Sequence, residues 1–171
     1  MESHLNLNQN PITDKNDIRI PEKSDLYAAL ENILWFWPNL FIHACPLESG
    51  FKKKFNLTRA VRLTGQYQGL ILIESYQELG FLLSRSLSNP SMAAGEDAFN
   101  EFVNMFCGHI MNKIRNSDRV AFRHFLPFEL TPQDLPSRPP EAMMTVAIQE
   151  FPLNVQLWID PAPPVEVGGL N

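Results

Sequence analysis

Residues 95–116 read GEDAFNEFVNMFCGHIMNKIRN, and this stretch decides the architecture. Phe99, Phe102, Val103, Phe106, Ile110 and Ile114 recur at the intervals that line one side of a helix with about 3.6 residues per turn. The spacing predicts a long amphipathic helix over about residues 95–116. On its other side Asp97, Glu101, Asn104 and Gly108 follow one another at intervals of four, three and four. A glycine inside a helix costs about 1 kcal/mol relative to alanine, so Gly108 suggests that something approaches the backbone closely there.

Upstream, Ser24 is a candidate cap for a helix carrying Leu26, Ala29, Leu30, Ile33, Leu34 and Phe36 at helical spacing until Pro38 stops it. Phe55–Thr64 and Leu70–Ile73 read as strands joined by the turn Gly65–Gly69. Ser75 with Glu78 reads as a capping box opening a helix through Leu79, Leu82, Leu83 and Leu87, closed at Asn89-Pro90. Downstream, Arg119–Leu130 reads as a strand broken near Pro127, and Pro132, Pro136, Pro139 and Pro140 mark a loop. Met143–Gln149 and Asn154–Ile159 read as two strands joined around Pro152. The order α-β-β-α-α-β-β-β implies an α+β fold, an antiparallel-rich sheet with helices packed on one side. Residues 24–160 form the expected domain, between a polar flexible tail at 1–23 and a loose Pro/Gly tail at 161–171.

Composition narrows the function classes. With 171 residues, 44% hydrophobic and 19% charged, the chain can bury a core as one globular domain. A net charge of -5 argues against a nucleic-acid surface, and Lys52–Lys54 reads as a solvated turn. The two cysteines, Cys45 and Cys107, and four scattered histidines form neither a disulfide framework nor a zinc pattern, so no intrinsic metal is expected. The polar N-terminus is unlike a signal peptide, and the most apolar stretch, Ile33–Cys45, is too short to span a bilayer. A cytoplasmic protein without a membrane partner is the expectation. Phosphate loops of the G-x-x-x-x-G-K or G-x-G-x-x-G type and a G-x-S-x-G elbow are missing.

That leaves the polar stripe of the long helix. Solvation alone puts Glu and Asn on an outer face, and a bare E-x-x-N arises readily by chance in a chain rich in both. The longer pattern Asp97-x3-Glu101-x2-Asn104-x22-Pro127 is more specific, and it resembles the signature of the CheC/CheX/FliY phosphatases at all four positions. The likeness covers about residues 25–160, including LTGQYQGL at 63–70 and EFVNMFCG at 101–108.

Members of that family remove the phosphoryl group from the aspartate of CheY-type response regulators. The resemblance implies that Asn104 positions the attacking water while Glu101 pairs with a lysine of the phosphorylated regulator. The Mg²⁺ would belong to the regulator, so no cofactor of the chain's own is needed. Asp97, near the expected helix start, is more simply read as a partner of the helix dipole, and Pro127 as a residue that shapes a strand end. A second signature copy is absent: the first helix has Asp25-x3-Ala29-x2-Asn32, with Phe55 at the proline position. One site per chain is similar to the CheX branch, which implies a homodimer. Two other readings stand beside the enzyme. One is a regulator-binding module without turnover, its docking face covered or reshaped by the proline-rich connection Gln133–Glu141. The other is an orphan dimer with an interaction patch at Trp35, Phe36 and Trp37, although core packing explains those aromatics more simply.

Overall fold

Strict alternation in the central strands gives the sheet two apolar faces. The computed structural model describes residues 19–37, 39–44, 54–65, 67–86, 92–114, 122–124 and 126–161. In chain order these form α1 (Lys23–Leu34), β1 (Ile42–Ala44), β2 (Leu57–Gly65), β3 (Tyr67–Ser75), α2 (Gln77–Ser86), α3 (Met92–Ile114) and β4 (Phe122–His124). A short 3-10 turn (Pro132–Asp134), β5 (Ala142–Ile148) and β6 (Phe151–Pro161) follow. The sheet order is β1-β5-β6-β3-β2-β4, with every pairing antiparallel. Leu57, Val61, Leu63, Ile71, Ile73, Val155 and Leu157 face the helices and close the main core with Phe99, Phe102 and Phe106. The alternate residues Ala60, Leu70, Leu72 and Trp158 face the other way, where Phe128 and Leu130 pack on them. The α+β class and the helix-covered sheet are as the sequence predicts.

Several local expectations are corrected. The loop of the first hairpin is shorter than read, because β2 runs to Gly65 and β3 begins at Tyr67. α1 begins before Ser24, and Asp25 accepts the Glu22 amide at 3.0 Å and the Arg19 guanidinium at 2.8 Å. Ser75 caps nothing: it is buried in β3 and its hydroxyl donates to the Pro152 carbonyl at 2.7 Å. Asn56 takes the capping role instead, its Oδ1 accepting the Gln77 amide at 2.9 Å. Pro152 lies inside β6, opposite Ala147. The turn is Gln149-Glu150, with Gln149 in the left-handed region at φ 54° and its amide donating to the Phe41 carbonyl at 2.9 Å. β1 was not anticipated, since three residues are too few to show alternation and pairing with Ile148, Ala147 and Val146 makes it a strand. The expectations at Pro38, Cys45, Lys52, Lys53, Leu87, Asn89 and Pro90, and for most of both tails, fall outside the described residues.

The helix layer is held tightest where α2 meets α3. A Cβ at Gly80 would stand 2.8 Å from the Gly95 carbonyl oxygen, so the two backbones touch with no side chain between them. Gly80→Ala must push the helices apart and is expected to cost about 1–3 kcal/mol. Chemical denaturation should show the midpoint fall. An unchanged midpoint would mean that the layer yields at this crossing without cost.

Candidate functional site

α3 starts at Met92, three residues before the expected Gly95, and carries its buried stripe against the sheet and α1. Asp97, Glu101, Asn104 and Gly108 fall within about 60° of arc on the opposite side. Asp97 and Glu101 are exposed, Asn104 and Gly108 half-buried, so the structure brings the sequence-predicted stripe together on one solvent face. The earlier helix start puts Asp97 in the second turn, where the dipole has faded, which removes the helix-dipole reading. Gly108 is also corrected: a Cβ there would meet nothing within 4 Å, so no part of the described chain approaches it. The glycine leaves open space one turn beyond Asn104.

Two asparagines one turn apart on α3 have different fates. Asn100 Oδ1 accepts the Arg59 Nε–H at 2.8 Å. Asn104 Oδ1 is buried and has no hydrogen-bond partner among the described residues. A buried amide oxygen left unpaired costs about 1–3 kcal/mol, so this side chain does not stabilise the fold through its oxygen. The Trp37 indole N–H is similarly unpartnered, and nothing among the described residues accounts for it. Glu101 and Asp97 make no ion pair among the described residues. Cys107 beside the stripe is free and buried, and burial pushes its thiol far above the ordinary range, so it stays protonated and is no nucleophile.

Sequence reasoning missed Arg59. Its guanidinium is buried among α3, β2 and the segment after β4. It donates to the Thr58 carbonyl at 2.9 Å, and reaches Glu96 at 3.3 Å and Glu129 at 3.4 Å as well as Asn100. The signal was legible: in Leu57-x-Arg59-x-Val61-x-Leu63 an arginine occupies an inward position of an alternating strand. This hub ties the residues that follow Pro127 to α3. Ala60 exchanges backbone hydrogen bonds with Phe128 at 2.9 Å each way, which sets half-buried Pro127 at the sheet edge. The proline-rich connection does not reshape the helix side. Trp158 Nε1 donates to the Arg138 carbonyl at 3.0 Å and the Ile159 amide to Glu141 at 2.9 Å, which place it against β6, with Phe128 and Leu130 covering the far face.

α1 runs antiparallel beside α3. The Arg19 amide donates to the Ile114 carbonyl at 3.3 Å, and the Trp37 ring meets Phe102 edge-on at 5.8 Å. The end of α1 is therefore level with Glu101 and Asn104. Of the three aromatics there only Trp37 is buried, whereas Trp35 is 87% and Phe36 61% exposed, so core packing does not explain the pair. α1 builds no second site, because Asp25 and Ala29 are buried and only Asn32 is exposed.

Among the described residues no group of three or more His, Cys, Asp or Glu could hold a metal ion, and no helix is long and apolar enough to cross a membrane. Neither a family model nor a curated protein sequence matches the chain. Solved structures do. CheX of Borrelia burgdorferi, in a CheX–CheY–BeF3–Mg²⁺ complex, superposes with a TM-score of 0.59 at 15% identity, covering 82% of this chain and 99% of that one. This chain has the CheX fold. CheX of Vibrio vulnificus (TM-score 0.55, 14% identity, 80% and 97% coverage) is similar. So is a CheC-like chemotactic protein of Shewanella oneidensis (0.54, 16%, 80% and 96%). At these identities the CheX likeness speaks for the architecture alone.

Proposed function

We propose that this chain is a phosphatase of a phosphorylated CheY-type response regulator, with α3 laid across the regulator's active site. The observation that carries the reading is the Asn104 amide, uncommitted to the fold and set between exposed Glu101 and open Gly108. The CheX neighbour bound to a CheY with BeF3 and Mg²⁺ supports a docking partner of this kind.

An amide is not basic, so Asn104 cannot take a proton. Its NH2, or its carbonyl once the amide turns over about its last torsion, can hold a water in line with the phosphorus. As the water oxygen bonds to phosphorus, the bond from phosphorus to the aspartyl oxygen breaks, restoring the carboxylate, and both of the water's protons leave with the dihydrogen phosphate. Such transfer depends chiefly on positioning and charge stabilisation, and the regulator's Mg²⁺ supplies the latter. Glu101, one turn away and unpaired, fixes the register by a charge-assisted hydrogen bond to the regulator's lysine. Pro127 shapes the strand end beside the helix, and the homodimer implied by the resemblance is part of the same proposal.

The test is the lifetime of a phosphorylated, Mg²⁺-loaded CheY-type receiver with and without the protein, across the receivers of the source organism. Faster decay on at least one receiver is expected. Binding to a receiver with an unchanged lifetime would establish the non-catalytic binding module instead. The inward orientation of Asn104 Oδ1 is the one observation that favours that second reading.

A further inference from the structure

We propose that Trp35 and Phe36 at the end of α1 are the affinity-setting half of the regulator-docking surface, contacting an apolar and cationic rim around the phospho-aspartate site. The inference rests on the phosphatase reading and adds a second helix to the docking face.

The buried residues of α1, Leu26, Ala29, Leu30, Ile33 and Leu34, fix its inward side. Trp35 keeps helical geometry at φ -54° and ψ -28°, which sets it about 180° from the middle of that side. It therefore points out of the helix layer in the direction taken by the Asp97–Gly108 stripe. The Trp37–Phe102 and Arg19–Ile114 contacts fix the level, so Trp35 stands beside the stripe on the neighbouring helix, the axes of packed helices lying roughly 8–10 Å apart. Within the stripe, Glu101 leans toward the α1 side and Asn104 toward the Arg59 side.

Charge names the occupant. Glu31 is exposed one turn before Trp35, and Glu101 and Asp97 are exposed across from it. Lys23 and Lys113 stand at the opposite end of the helix pair, beside the Arg19–Ile114 contact. An indole exposed beside unpaired carboxylates suits the aliphatic stem and cationic head of lysine or arginine. A receiver that presents a lysine to Glu101 meets Trp35 with a further cationic or apolar group about one helix spacing away. Continuity with the stripe argues for the same partner: a protein seated over Asn104 extends past Trp35 unless it stops within one helix spacing.

The experiment measures binding and turnover separately on one receiver whose decay the wild-type protein accelerates. Affinity is read with that receiver loaded with Mg²⁺ and beryllofluoride, and turnover at saturation with the phosphorylated form. Trp35→Ala should raise Kd about 30-fold and Phe36→Ala by less, with kcat and the thermal midpoint unchanged. Trp35→Phe should recover most of the affinity. An unchanged Kd for both alanine variants would overturn the inference while a dead Asn104→Ala left the phosphatase reading standing. Full turnover by Asn104→Ala would instead overturn the phosphatase mechanism, with the Trp35 affinity still reporting on docking. If wild type bound no receiver, both proposals would fall.

Discussion

Asn104→Ala is expected to reduce acceleration of regulator dephosphorylation by about 10²-fold or more while leaving the protein folded. The catalytic half of that expectation follows from the size of positioning effects: removing one preorganised hydrogen-bonding group costs about 10²–10³ in rate. The structural half follows from Asn104 Oδ1, which is buried without a partner. Alanine removes an unsatisfied oxygen and breaks no bond, and it is the better helix former, so the unfolding midpoint should stay level or rise slightly. Asn100→Ala is the control, because that amide accepts the Arg59 Nε–H at 2.8 Å and belongs to the fold. It should lower the midpoint and leave turnover near wild type. Stopped-flow decay of the phosphorylated receiver and a denaturant titration on each variant measure both halves. A fully active Asn104→Ala would refute the assigned role.

The contrast between these asparagines also shows where sequence reading ended. Both are Asn on one helix, and the pattern with Glu101 and Pro127 picked out Asn104. Only the structure shows that Asn100 is occupied by a guanidinium from β2, 41 positions away in the chain. Long-range polar partners have no period to read. The strands and helices did: alternation in β2 and β3 and the apolar stripe of α3 rest on local geometry, and the elements formed there with ends shifted by a few residues. Caps failed for the same reason as Arg59. Ser75 has the residue type and spacing of a cap, yet its hydroxyl is taken by Pro152 across the sheet, and Asn56 reaches Gln77 from before β2. Trp35 and Trp37 differ by two positions and lie at 87% and 2% exposure, a difference set by where α1 ends against Phe102.

Arg59→Met is expected to lower unfolding free energy by about 2–3 kcal/mol. Arginine makes four contacts here, to Asn100, the Thr58 carbonyl, Glu96 and Glu129, and methionine keeps much of the stem packing but none of the hydrogen bonds. The loss stays below the 3–5 kcal/mol, roughly, of a broken buried pair because the carboxylates left behind return to water. Glu96 and Glu129 have side chains 49% and 83% exposed, so their Coulomb share is screened and discounted. The reverse deletions should behave differently. Glu96→Ala or Glu129→Ala alone leaves Arg59 one carboxylate, at a cost of about 1 kcal/mol or less. The double variant leaves a cation 8% exposed among neutral acceptors and should cost more than the sum of the singles. Urea titrations of the four variants measure that non-additivity, and hydrogen exchange at residues 126–131 reports whether the Pro127 segment loosens when its tie to α3 is cut. Additive singles with unchanged exchange would mean that Arg59 only fills space, and that the backbone pair Ala60–Phe128 alone holds the strand end beside the site.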